Sequence, residues 1–170
     1  ASSNGRVGFL AAVGTSAAND LATTTANLRT ALAPLWDDLQ CTAGVTYQLS
    51  GSAPNRVMTI EFKNMEWNYQ STTGVISFQV KLYETTNVVE YIYQQEPTAY
   101  NAGFSGGASI GIMGTGNTDF ISLQDVSASP VTSTTVSKND IATKPATGQI
   151  YRFTPPAAPA DPPVPTQAAS

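Results

Sequence analysis

Apolar and polar residues alternate with a period of two along much of the chain. In Val75–Tyr83, Ile76, Phe78, Val80 and Leu82 face one way, and Ser77, Gln79 and Lys81 face the other. Arg56–Lys63 repeats the pattern, with Met58, Ile60 and Phe62 on the apolar side. Such alternation predicts strands with one face in a core and one in water. Turn formers fill Asn68–Gly74 between the two runs, which predicts an antiparallel pair. Further strands are predicted at Val7–Ala12, Val45–Leu49, Val88–Tyr93, Ala108–Met113, Phe120–Leu123 and Ile150–Phe153. Thr85-Thr86-Asn87 is short enough to close a hairpin between Tyr83 and Val88. Asn19–Arg29 is the one helical candidate. It is rich in Thr, and a surface loop with a helical turn fits it equally well.

Many short strands punctuated by Gly, Pro and Asn predict an all-β fold: an antiparallel β-sandwich, jelly-roll-like or Ig-like. Residues 1–154 form one module on this reading. Residues 155–170 form a Pro/Ala-rich, extended C-terminal tail or linker.

Composition narrows the function classes. Of the 170 residues, 41% are hydrophobic, enough for a core, but only 12% are charged. A surface of short hydroxyls and amides suits a secreted β-protein. The net charge is −4 and the eight Lys and Arg are scattered, so no basic stripe exists for nucleic acid or an anionic membrane. No apolar run approaches the ~20 residues of a membrane helix, so no membrane insertion is expected. The single cysteine, Cys41, allows no internal disulfide and reads as a small buried hydrophobe, with an intermolecular thiol as the alternative.

The sharpest local feature is Leu32-Ala33-Pro34-Leu35-Trp36-Asp37-Asp38-Leu39. Asp37 and Asp38 offer oxygens to a calcium ion, the one cofactor considered. Trp36 beside them is a stacking platform for a sugar. The plainer alternative puts Trp36 in the core and uses one Asp to cap a turn. Trp67 at a strand end, and Tyr91 and Tyr93 on one face of a strand, are candidate ligand or interface aromatics; core packing is the plainer alternative for them too. A glycosidase pair would have to come from Asp37, Asp38, Glu61, Glu66, Glu84 and Glu90, and no spacing selects two of them. The chain has no histidine, which excludes a His-based triad and removes the main zinc ligand. Gly111–Gly116 lacks the Lys-Ser/Thr ending of a phosphate loop and reads as strand then turn.

Taken together, several segments resemble a known family. They are Ser3-Asn4-Gly5, the Leu32–Leu39 run, Val45-Thr46-Tyr47-Gln48, Ala53–Asn64, Phe78-Gln79-Val80-Lys81-Leu82-Tyr83-Glu84 and Asn87–Tyr93. Their order resembles a β-rich module of large secreted Bacteroidota proteins exported by the type IX system. It is also similar to the extracellular domain named for nidogen. The resemblance spans residues 3–154. It implies an extracellular or cell-surface, multidomain protein with structural or adhesive roles, and it carries no catalytic residue across. It further implies that the family's first strands lie before Ser2, which leaves a sheet edge open. Protein partners or neighbouring protomers are then expected at a sheet edge and at the Pro-rich tail, in a filament or complex. The rival readings are a carbohydrate-binding module for surface glycans and an accessory domain of a secreted hydrolase.

Overall fold

The computed structural model describes residues 1–10, 14–41, 43–101, 103 and 106–157. Two antiparallel five-stranded sheets face each other, as the alternation predicts. The strands are β1 (Val7–Gly8), β2 (Ala31–Trp36), β3 (Val45–Ser50), β4 (Val57–Met65), β5 (Ile76–Tyr83), β6 (Val89–Gln95), β7 (Ser109–Met113), β8 (Phe120–Leu123), β9 (Thr132–Ser133) and β10 (Ile150–Phe153). The first sheet has the order β1-β2-β7-β8-β9, and the second β10-β6-β5-β4-β3.

The second sheet carries the clearest sequence signal. Ile60 pairs with Val80 and Phe62 with Phe78, so the predicted apolar faces of β4 and β5 coincide. Phe62 and Phe78 stack with ring centroids 4.7 Å apart. The β5–β6 hairpin closes as expected, with Tyr83 N–H donating to the Val88 carbonyl at 3.0 Å.

Two elements depart from the alternation. β2 is buried at all six positions, Pro34 included. Leu32 and Leu35 enter the inter-sheet core. Ala31, Ala33 and Trp36 point out of the sandwich into a second cluster with Leu21, Leu28, Met113 and Phe120. A strand covered on both faces shows no period-two pattern. The register slips between Ala33 and Trp36, and that irregularity accommodates Pro34.

Of the two readings of Asn19–Arg29, the loop with a helical turn holds: the segment is an irregular cover over that outer cluster, with one 3-10 turn at Ala26–Leu28. Its polar side chains compete with a helix. Asp20 Oδ1 accepts from Ala22 N–H at 2.9 Å, and Thr23 Oγ1 accepts from Thr25 N–H at 3.3 Å. The predicted strand Val7–Ala12 is only two residues long where it is described, and its end at Ala11-Ala12 lies outside the described residues. Of the Pro-rich tail, residues 158–170 also lie outside the described residues.

Candidate functional site

Trp36 and Trp67 are 0% and 1% exposed, so neither ring presents a face to a sugar. Both are held as core residues. The Arg6 guanidinium sits 4.4 Å over the Trp36 ring, and the indole Nε1 donates to the Ser16 carbonyl at 2.9 Å. Arg6, itself fully buried, donates to the carbonyls of Leu28 (3.0 Å) and Gly14. Burial lowers its pKa to about 10. Arg29 does the same on the other side of the cover, donating to Leu21 O at 2.5 Å, Asp119 O at 2.8 Å and Gly116 O. These two cations fasten the 14–29 segment to the first sheet.

Asp37 is also structural. Its Oδ2 accepts from Trp67 Nε1 at 2.8 Å, and its Oδ1 accepts from the Asp38 amide at 2.7 Å. Both carboxylate oxygens are therefore engaged. Asp37 follows β2 and Trp67 follows β4, so the bond ties one sheet to the other. A two-way backbone bridge between Gln40 and Glu66, 2.9 and 3.0 Å long, lies beside it. Asp38 is half-buried. Among the described residues, no three acidic, cysteine or histidine side chains converge where a cation would need them.

Tyr91 and Tyr93 face inward, 0% and 2% exposed. Each spans the core: Tyr91 Oη donates to Gly111 O at 2.8 Å and Tyr93 Oη to Pro34 O at 2.5 Å. Both acceptors belong to the opposite sheet. Burial raises both phenols well above the ordinary value. These bonds satisfy the two buried hydroxyls inside the core, where an unpaired group would cost about 1–3 kcal/mol.

The remaining acids are dispersed. Glu84 is bound to Arg56 at 2.5 and 2.9 Å, which holds its carboxyl at about 2. Glu90 accepts from Arg152 at 2.5 Å and from Tyr83 Oη at 2.6 Å. Glu61 accepts from Gln79 at 2.9 Å on the outer face of the second sheet. Glu66 is buried beside Cys41, whose half-buried thiol is pushed up chiefly by burial. Gly111–Gly116 is strand β7 followed by a turn in which Gly114 N–H donates to Asp119 O at 2.8 Å.

An open surface among the described residues is β3, whose strand the sequence predicts at Val45–Leu49 without singling it out as the contact edge. It is an edge strand, and every residue after Val45 is exposed. Glu84 N–H donates to the Arg56 carbonyl, so the even-numbered residues of β4 bond toward β5. Val57, Thr59 and Glu61 then bond toward β3, where they meet Ser50, Gln48 and Thr46. The N–H and C=O groups of Val45, Tyr47 and Leu49 consequently point outward from the sheet. β3 contains no charged residue and no proline, the usual devices that protect an edge. The alternating run Val45-Thr46-Tyr47-Gln48-Leu49 was the available signal.

Two antiparallel sheets, with Trp36, Trp67, Tyr91, Tyr93 and Asp37 committed to internal ties, define an all-β sandwich module. The chain belongs to the NIDO-related family, whose model matches residues 1–155. The module is of an extracellular type. No curated protein and no solved structure matches it.

Proposed function

We propose that this chain is a structural or adhesive module of a bacterial cell-surface or secreted protein, that it works by contact without catalysis, and that its contact element is the open edge of β3. One observation carries the reading: a six-residue, uncharged, proline-free edge strand whose odd-numbered backbone groups face outward. Such an edge adds an extended segment of a partner or neighbouring protomer by backbone hydrogen bonds, with side-chain parity setting specificity. The resemblance to type IX secretion substrates supports a parent protein that assembles outside the cell.

The rival glycan reading is supported at a different place from Trp36 and Trp67. Thr46, Gln48, Thr59, Glu61 and Gln79 line a shallow polar groove on the outer face of the second sheet. One variant tests the leading reading. Tyr47→Pro removes an outward N–H and leaves the β3–β4 ladder intact, because Tyr47 donates nothing to β4. Tyr47→Pro is expected to lower capture of the intact parent protein by the immobilised module about tenfold or more, the weight of one or two backbone bonds and their packing. Unchanged capture, or loss only of binding on a glycan array, contradicts the edge reading.

A further inference from the structure

Among the described residues, the outermost strands of the two sheets are not alike. β1 and β9 are two residues long, and β10 carries Arg152 and runs into Pro155-Pro156. Short length, charge and proline each discourage edge pairing. β3 has none of these devices. Its extended run is bounded on both sides by glycines in the left-handed region, Gly44 at φ +81° and Gly51 at φ +79°. Within that run Val45, Tyr47 and Leu49 turn their N–H and C=O groups away from β4.

The side chains of β3 are symmetric in chemistry about Tyr47. Val45 and Leu49 are apolar, Thr46 and Gln48 are polar, and Tyr47 stands between them. Pairing with Phe62, Ile60 and Met58 puts the odd-numbered side chains on the core side of the sheet. Tyr47 is nevertheless 77% and Leu49 51% exposed. With Val45, Met58, Ile60 and Leu82 near them, they border an open, mainly apolar groove.

A two-fold axis through Tyr47, perpendicular to the sheet, sets a second β3 antiparallel to the first. Tyr47 then faces its own copy, and Val45 faces Leu49 of the second copy. Every outward residue falls in a hydrogen-bonded pair, each pair exchanging two backbone bonds. On the other face Thr46 meets Gln48 of the second copy. Shifting the axis by one residue places Leu49 opposite Ala43, or Val45 opposite Gly51, outside the extended run. A two-fold also brings side chains at the axis close to their own copies, where a charge would meet itself, and Val45–Ser50 contains none.

We propose that the partner at this edge is a second copy of the chain, joined β3 to β3 about a two-fold axis at Tyr47, so that two five-stranded sheets become one continuous sheet. The inference rests on the edge reading above and adds the identity of the partner. The symmetry of Val45–Leu49 is what selects a copy, since it has no bearing on pairing with a segment of unrelated sequence. With their Cα atoms about 5.5 Å apart, the two Tyr47 side chains pack side by side, flanked by Val45 and Leu49. The contact is small, so the dilute chain is a monomer and pairing appears as concentration rises.

Sedimentation equilibrium of the full chain over about 10 μM to 1 mM tests this, the range in which weak contacts of this kind dissociate. The mass is expected to rise from monomer toward dimer. Tyr47 is exposed, so substitutions there spare the core. Tyr47→Lys and Tyr47→Glu keep the backbone N–H but set like charges opposite each other, and each variant alone should dimerise at least about tenfold more weakly. An equimolar mixture of the two should restore association to the level of the unsubstituted chain, because only this register sets the two introduced charges opposite each other. A dimer that survives both substitutions overturns the proposal. So does a mixture as weak as its components, or a chain that is monomeric throughout. Failure here is distinct from failure of the edge reading. If Tyr47→Pro still lowers capture of the parent protein, the edge is used by a different partner; if capture is unchanged as well, both readings fall.

Discussion

Trp67→Ala should destabilise the module by about 4 kcal/mol or more, the largest loss expected of any single side chain. Trp67 is 1% exposed, packs against Tyr100 at 4.5 Å between centroids, and donates its indole N–H to Asp37. Truncation removes a large apolar volume and also takes a hydrogen bond from a carboxylate that is 6% exposed. Trp67→Phe separates the two effects. It keeps most of the ring contact but removes the indole N–H donated to Asp37 Oδ2, and should cost about 2 kcal/mol. Urea unfolding read by Tyr fluorescence gives both values. If Trp67→Ala unfolds within about 1 kcal/mol of the parent, the tie between the sheets is not structural, and the surface-platform reading of Trp67 returns.

Alkaline titration should unfold the protein in one steep step between about pH 10 and 12. Burial holds Tyr91 and Tyr93 well above the ordinary phenol value and pushes Tyr151 up to about 12, with nearby Asp125 adding to the shift. Tyr83 is raised first by its hydrogen bond to Glu90. In each case the folded value exceeds the unfolded one, near 10. The stability these phenols contribute is therefore whole below pH 10 and is lost as the pH rises through the folded values. Arg6 works in the opposite sense. Its folded value is lowered to about 10, so the cost of burying its charge is relieved above that pH. Arg29 is also lowered, chiefly by burial, and two relieved cations do not offset four phenols. Phenolate absorbance and circular dichroism should change together, with the buried tyrosines ionising only as the fold opens. Smooth ionisation of all seven tyrosines near pH 10 with the sheets intact would contradict this account of the core.

The second sheet was legible in the sequence because each of its central strands is wet on one face. Met58, Ile60 and Phe62, and Ile76, Phe78, Val80 and Leu82, could be placed inward by parity alone. β2 was not legible as a strand, because the cover formed by residues 14–29 buries its second face and erases the alternation. Nothing local announces that cover. Arg6 and Arg29 fasten it through backbone carbonyls, and a buried arginine looks like any other in a sequence. The aromatics misled for a related reason. Trp36, Trp67, Tyr91 and Tyr93 each carry a polar atom, which suits a binding surface as well as it suits a core with carbonyls or carboxylates to satisfy. Only the fold shows that Pro34, Gly111, Ser16 and Asp37 supply the acceptors. Tyr47 was the converse case. Its parity puts it with the core, and its exposure follows from how far the opposite sheet reaches.

Hydrogen exchange at β3 tests the contact reading most directly. The amides of Val45, Tyr47 and Leu49 should exchange rapidly in the isolated module, while those of Thr46 and Gln48, bonded to β4, stay protected. With a partner strand bound at this edge, as proposed, all five should exchange slowly. Rapid exchange of the three odd-numbered amides in both settings would mean that no strand pairs with this edge, and the proposed mode of contact would be wrong.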